Sequence, residues 1–251
     1  MVIPIYKATL SSEERRSLTQ AYDLLKGYPL VIIKPQSLDL SGITDEFPRL
    51  TLAAFDDSFF KGISSYNRLM LSPCFYERFH DSVYILIYQL DAYVFRDELR
   101  EWCEKGYDYI GAPWLRRPVY RLPLLAPLMR WIHSRQKAKG KPSKQDLYDK
   151  VGNGGLSLRK VASHLRITRL QEERIRYYLN QAHHLYNEDV FWATEAEGFA
   201  YPEAEEAIRF AFDKYPDYCY QLNGERLPFG CHAWYKRKMR KFWMNHIPFK
   251  G

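Results

Sequence analysis

The most apolar segment of the chain is Val83-Tyr84-Ile85-Leu86-Ile87-Tyr88, and it runs straight into Gln89-Leu90-Asp91. A short unbroken run of aliphatic and aromatic residues suits a strand covered on both faces. Such a strand needs helices on either side of its sheet, and the sequence supplies them. Val2 to Tyr6 reads as a short strand, and Leu30 to Ile33 is a second continuous aliphatic run. Tyr107 to Gly111 and Leu156-Ser157-Leu158 read as further strands. Ser11 stands three residues before Glu14, the spacing of a capping box, which predicts a helix to about Lys26, where Gly27 and Pro29 stop it. Ser64 to Phe79 has helical spacing with Leu69, Met70 and Phe75 inward, and Asp97 to Lys105 is a short helix. Helical stretches fill Lys160 to Leu185, Val190 to Glu197 and Glu203 to Phe212, whereas Ser37 to Phe60 reads as loops and short pieces. Strands alternating with helices, without internal repeat, predict an α/β fold with a mainly parallel central sheet flanked by helices.

Composition narrows the class. A chain of 251 residues can bury a large core, and no linker divides it, so a single domain over 1–251 is expected. Hydrophobic residues at 46% and charged residues at 27% exclude wholesale disorder. A mean hydropathy of -0.46 and the lack of an apolar run near 20 residues exclude a transmembrane helix. The opening Met1-Val2-Ile3-Pro4-Ile5-Tyr6-Lys7 reads as a strand and not as a leader, which sets the expectation of a cytoplasmic protein. Cys74, Cys103, Cys219 and Cys231 form no CxxC, so reduced thiols are expected and a zinc cage is not.

The basic residues are unevenly placed. Nine lie between Trp114 and Lys144 and six between His232 and Gly251, with no acid in either segment. The 37 bases less those 15 leave 22 against 30 acids, so the body is acidic and carries two basic attachments. That split argues against a nucleic-acid partner, which would meet a basic folded face, and for a local anionic partner such as a membrane surface. One attachment is an insertion at about 116–146, where Leu124, Leu125, Leu128, Met129 and Trp131 lie among arginines and lysines. The other is a basic amphipathic helix at about 233–247 with Tyr235, Met239, Phe242 and Trp243 on one face. Each apolar face either docks on the domain's own core or lies in the headgroup plane of an anionic membrane.

Several residues could carry chemistry. Asp91 directly follows the apolar strand, at the end where open α/β sheets bind ligands, and a hard carboxylate there suits Mg2+ or Mn2+ on a phosphate; it could equally cap the next turn. Gly152-Asn153-Gly154-Gly155 precedes a strand and is either a close-approach loop or an ordinary turn, without GxGxxG or Walker spacing. Asn187-Glu188-Asp189 opens a helix, where Asn suits the cap and the acids suit the dipole, or where the acids supply a general base. His232 is either a metal ligand or a hydrogen-bonded structural residue. His183-His184 reads as a helix face.

Taken in order, Gln89-Leu90-Asp91, Asp108-Tyr109-Ile110-Gly111-Ala112-Pro113-Trp114, Gly152-Asn153-Gly154-Gly155-Leu156-Ser157-Leu158-Arg159, Asn187-Glu188-Asp189 and Pro228-Phe229-Gly230-Cys231-His232-Ala233-Trp234 resemble an uncharacterised bacterial and fungal domain family grouped with the GT-A glycosyltransferases. The resemblance runs from Val2 to Trp234, outside the basic insertion and the last helix. It implies a GT-A-like domain that moves a sugar from a nucleotide-sugar donor to a glycan or lipid-linked acceptor in surface polysaccharide assembly; with the two basic segments, a lipid-linked acceptor would set the protein peripherally on the inner face of the membrane. A non-catalytic GT-A-like binding protein for nucleotide sugars or glycans is the alternative. Asp91 matches the second acid of the DxD that holds metal and diphosphate, and Gln89 replaces the first. His232 matches the histidine that completes the shell of a divalent Mn2+ or Mg2+. Asp189 matches the catalytic base of inverting members, with Glu188 beside it, and Gly154 and Gly155 match the segment lining the donor sugar. Tyr6 is the candidate for stacking on the nucleobase, and Arg68 either reaches the diphosphate or is an ordinary helix-face arginine.

Overall fold

The computed structural model describes residues 1–116, 125–139 and 142–248. Its strands, numbered along the chain, are β1 (Val2–Pro4), β2 (Leu30–Pro35), β3 (Leu50–Phe55), β4 (Tyr84–Tyr88), β5 (Tyr93–Val94), β6 (Tyr109–Gly111), β7 (Leu156–Lys160), β8 (Ala211–Phe212) and β9 (Gly230–Cys231). Six of them form one sheet in the order β3-β2-β1-β4-β7-β6, and three form a small sheet in the order β5-β9-β8. In the large sheet β3, β2, β1 and β4 run parallel; β7 is antiparallel to both β4 and β6, so it alone runs against the rest. The mainly parallel α/β sheet expected from the sequence is present.

Alternate residues of the central strands feed two cores. Ile3, Leu86 and Tyr88 face the core built with the helix Ser12–Leu24 and with Trp102. Val2, Ile85 and Ile87 face the core built with the helices Ile63–Met70, Pro73–Glu77, Val161–Leu170 and Glu188–Thr194. The capping box forms: Ser11 Oγ accepts from the Glu14 amide at 3.2 Å, and the Glu14 carboxylate accepts from the Ser11 amide at 2.8 Å. Leu69, Met70 and Phe75 are fully buried as expected, but on two helices, Ile63–Met70 and Pro73–Glu77, in place of one stretch.

Two further local expectations are corrected and one open alternative is decided. Ser37 to Phe60 contains β3, an edge strand whose exposed Thr51, Leu52 and Ala54 break up the apolar pattern. The stretch Lys160 to Leu185 is two α-helices, Val161–Leu170 and Glu172–Leu179, followed by a short 3-10 turn, His184–Tyr186, that His183 caps, so neither histidine lies on an α-helix face. The basic C-terminal helix covers Arg237–Trp243, and its apolar face is not free for a membrane. Trp243 and Ile247 are buried with Phe212 and Trp234, and Tyr235, Met239 and Phe242 pack against that cluster. Lys236, Arg237, Lys238 and Lys241 remain outside as an exposed basic rim.

The insertion behaves differently. The helix Leu125–Ala138 leaves Leu128 49% and Trp131 55% exposed, while Leu124 lies outside the described residues. No helix among the described residues is long and apolar enough to cross a membrane.

Candidate active site

Strand direction decides where the site forms. Tyr6 follows the carboxyl end of β1, and Gln89-Leu90-Asp91 follow the carboxyl end of β4. Because β7 runs the other way, the Gly152–Gly155 loop before it arrives at that same end, where the Gln89 amide donates to the Gly155 carbonyl at 2.8 Å. A cleft of about 580 Å³ opens there, and it gathers Tyr6, Gln89, Asp91, Gly154, Gly155, Glu188, Asp189 and His232. Arg68 does not line it. That side chain is exposed, donates to the Ser58 carbonyl at 3.2 Å and lies over the Phe59 ring.

The small sheet brings together acids and a histidine that are far apart in sequence. Tyr93 pairs with Cys231 across β5 and β9, so Asp91 and His232 come off adjacent strands next to one another. Phe212 pairs with Cys231 across β8 and β9, which sets Asp213 beside His232 on the other side. Ala233 then turns the chain at φ 58°, a left-handed conformation costing a non-glycine residue about 1 kcal/mol or more.

His232 is thereby held between two carboxylates. Nδ1 donates to Asp213 Oδ1 at 3.1 Å, and Nε2 stands 2.9 Å from Asp91 Oδ1 as an ion pair, without an aligned hydrogen bond. Burial favours the neutral ring, but Asp91 and Asp213 outweigh it and push the imidazole pKa up to about 9. Burial likewise opposes the charge on Asp91, yet His232 and the Lys236 ammonium, 2.9 Å from Oδ2, hold that carboxyl well below the usual range.

These residues fit a divalent metal in part. Asp213 fixing Nδ1 is the usual arrangement behind a metal-bound histidine, because it turns Nε2 outward. Nε2 has no directed partner, and its 2.9 Å separation from Asp91 Oδ1 resembles that of two neighbouring ligands on one cation, about 3 Å. The protein supplies two such ligands. Among the described residues, no group of three or more His, Cys, Asp or Glu side chains stands ready to hold an ion. A cation held here would take its remaining ligands from outside these two side chains.

The glycines serve the site's own side chains. A Cβ on Gly155 would collide with the His232 ring, and one on Gly154 would collide with the Glu188 carboxylate. The close approach expected of this loop is thus made by protein groups packed against bare backbone. Asn153 supports the turn at φ 69° by accepting from the Gly155 amide at 3.0 Å.

Glu188 and Asp189 are adjacent but placed differently. Glu188 is buried against Arg159. Asp189 is half-buried in the cleft wall, with Oδ1 accepting from the Val190 amide at 2.9 Å. Burial first, then the charge of Glu188, pushes the Asp189 carboxyl up to about 6. Asn187 makes no side-chain cap; Asn67 Oδ1 accepts from the Glu188 amide at 3.3 Å instead, and Asn67 Nδ2 donates to Asn187 Oδ1 at 3.0 Å. Sequence reasoning assigned no role to Asp213, Arg159, Asn67 or Lys236. Only Lys236 carried a local signal, as a cation four residues after His232.

A family model described as a protein of unknown function, DUF5672, matches residues 49–232. The chain belongs to the DUF5672 family. The match takes in Asp91, the Gly152–Gly155 loop, Asp189 and His232, and leaves Tyr6 and Lys236 outside it. No curated protein matches the sequence. Solved structures do match this DUF5672 fold. Mouse xyloside xylosyltransferase 1, in its apo form, aligns with a TM-score of 0.52 at 14% identity, over 92% of this chain and 96% of that one. An active-site mutant of LgtC aligns with a TM-score of 0.57 at 14% identity, over 97% and 94%. The galactosyltransferase LgtC in complex with donor and acceptor sugar analogues aligns with a TM-score of 0.50 at 11% identity, over 100% and 98%. Identities this low carry the fold alone: that of the GT-A glycosyltransferases.

Proposed function

We propose that this DUF5672 protein is a glycosyltransferase that moves a sugar from a nucleotide-sugar donor to a glycan acceptor with inversion, in surface polysaccharide assembly. The observation that supports this reading is one cleft holding both an acid–histidine pair suited to a metal-bound diphosphate and, apart from it, a carboxylate with a raised pKa. Asp91 and His232 would hold a divalent Mn2+ or Mg2+, which when bound neutralises charge on the leaving diphosphate. Lys236 adds a protein cation at the same place. Tyr6, 62% exposed at the mouth of the cleft, offers a stacking face to the nucleobase. Asp189 takes the proton of the acceptor hydroxyl. The hydroxyl oxygen bonds to the anomeric carbon as the bond to the diphosphate breaks, and the nucleoside diphosphate leaves with the electron pair. A carboxyl near 6 is ionised at neutral pH and basic enough for the task.

The deciding experiment is a thermal-shift screen of nucleotide sugars with and without Mn2+, followed by transfer assays on the stabilising donor. Asp91→Asn and His232→Ala should each abolish metal-dependent donor binding and leave the fold intact. Unchanged metal-dependent affinity in both variants rejects the assigned metal site. Donor binding without hydrolysis or transfer favours a non-catalytic binding protein, the reading that the loss of the first acid at Gln89 supports.

The proposal extends to an anionic membrane surface, in line with a lipid-linked acceptor and a peripheral position on the inner leaflet. It rests on the helix Leu125–Ala138, where exposed Leu128 and Trp131 neighbour Arg130 and Arg135, the Arg135 guanidinium lying 4.7 Å from the Trp131 ring centre.

A further inference from the structure

Resting on the glycosyltransferase reading, we infer that a second hollow beside the cleft is the acceptor subsite and that it takes an uncharged saccharide. The hollow has a volume of about 500 Å³. It shares Ile63, Asn67 and Asn187 with the main cleft, so the two meet along that rim. Asp189 lines the cleft, as do Tyr6, Asp91, His232 and Lys236, but it stands only two residues beyond Asn187 on the shared rim. An occupant of the hollow therefore meets the cleft at the rim where Asn187 precedes the helix that carries Asp189.

The lining differs in kind from that of the cleft. Lys7, Glu14, Asp91, Glu188, Asp189 and Lys236 charge the cleft, while no Asp, Glu, Lys or Arg among the described residues lines the hollow. Its polar groups are hydroxyls and amides, from Ser64, Asn67, Asn180, Gln181 and Asn187, and its flat faces are rings. His183 and His184 stack with centroids 4.4 Å apart and stand exposed at its edge, and Tyr178 and Tyr186 meet edge to face at 5.1 Å. The Leu185 amide donates to His183 Nδ1 at 3.2 Å, which leaves Nε2 as a donor to a ligand. Burial, His183, Lys144 and Lys214 lower the His184 pKa, so that ring is neutral at physiological pH. Neutral donors and acceptors around ring faces suit a sugar, whose hydroxyls bond in the plane and whose C–H faces lie on rings. A phosphorylated or carboxylated acceptor end would call for cations in the lining, and the described lining has none. Amide pairing of Asn67 with Asn187 ties the rim to the helix that carries Asp189, so the subsite and the base move as one piece.

Saturation-transfer NMR tests this with methyl β-glucoside, methyl β-galactoside and methyl β-xyloside as probes, glucose 1-phosphate as the charged comparison, and UDP and GDP as probes of the cleft. At least one methyl glycoside should give a signal exceeding that of glucose 1-phosphate. His184→Ala and Gln181→Leu should each weaken it roughly fivefold or more, the weight of one hydrogen bond or ring contact. The nucleotide signal should survive both substitutions, which also shows that the variants are folded. No signal from any methyl glycoside, a signal untouched by both substitutions, or preference for the phosphorylated sugar overturns the inference. Failure of both nucleotides to bind while a glycoside behaves as expected overturns the donor reading instead and leaves the saccharide site standing.

Discussion

Glu188 meets Arg159 with both carboxylate oxygens, Oε1 to Nη2 and Oε2 to Nη1, each at 3.0 Å. Neither side chain is open to solvent. Arg159 also donates to Ser157 Oγ at 3.0 Å and to Tyr76 Oη at 3.2 Å, and it lies near the Tyr109 ring. Two neighbouring acids are thereby separated in role: Glu188 is engaged with an arginine and steadies the helix start, and Asp189 faces the cleft. Breaking a buried pair leaves one charge uncompensated, at a cost of about 3–5 kcal/mol, whereas replacing both partners by apolar residues is far milder. Arg159→Met should therefore lower Tm on the order of 10 °C, and Arg159→Met with Glu188→Leu should recover most of the loss. Additive losses in that double-mutant cycle would show that the two residues are not coupled.

Asp189→Asn separates catalysis from stability. Loss of a positioned base should lower transfer by roughly two to four orders of magnitude and leave donor binding unchanged. The wild-type rate should rise with pH through about 6. The same raised pKa fixes the sign of a stability effect. A carboxyl that is harder to ionise folded than unfolded costs stability once the pH exceeds both values, so the Asn variant should melt a few degrees higher at about pH 8. Near-normal turnover, or a lower Tm at that pH, rejects the assignment. Retention of the donor's anomeric configuration in the product would keep the cleft and remove Asp189 from this role.

Much of the large sheet was legible because its determinants are local. The aliphatic runs at Leu30 and Val83 and the Ser11/Glu14 cap each act within a few residues. The end of β4 was legible for the same reason, and it put Asp91 at the ligand end of the sheet. The small sheet was not legible. Its strands are two residues each, too short for any period to show, and only their pairing puts Asp213 and Asp91 on either side of His232. Arg159 was hidden by its type, since a charged residue fully buried in a strand has no sequence signature apart from its partner. Gly154 and Gly155 were visible as a motif, but the groups that exclude a Cβ there come from Glu188 and His232, distant in the chain.

The triad Asp213–His232–Asp91 should leave a mark on stability against pH. The His232 pKa rises from the ordinary 6.5 to about 9 on folding, so its contribution is fully present below about 6.5 and is lost as pH climbs through 9. Asp91 is held low on folding, so its contribution is present above the ordinary value of 3.8 and is lost as the medium is acidified below that. Between those limits both contributions hold. The gap in Tm between wild type and His232→Gln should be widest near about pH 5.5 and should shrink by about pH 9.5, measured with a chelator present. A gap independent of pH would dismiss the ion-pair account of this histidine.

The helix Leu125–Ala138 makes the membrane proposal separable from the rest. The C-terminal helix spends its aromatic face on the domain's own core, with Trp243 stacked on Phe95 at 5.5 Å, so no aromatic anchor of that face is left for lipid. The insertion helix instead exposes Leu128 and Trp131 beside Arg130 and Arg135, combining apolar anchors with cations on one short surface. A tryptophan placed at the headgroup boundary and bases on lipid phosphates should respond to different changes. Trp131→Ala should weaken sedimentation with anionic vesicles at every salt concentration. Arg130→Gln with Arg135→Gln should weaken it most at low salt, where screening is least. Neither change should alter nucleotide binding in the cleft. If wild type fails to sediment with anionic vesicles at low salt, the membrane proposal falls, and the acceptor is then to be sought among soluble saccharides.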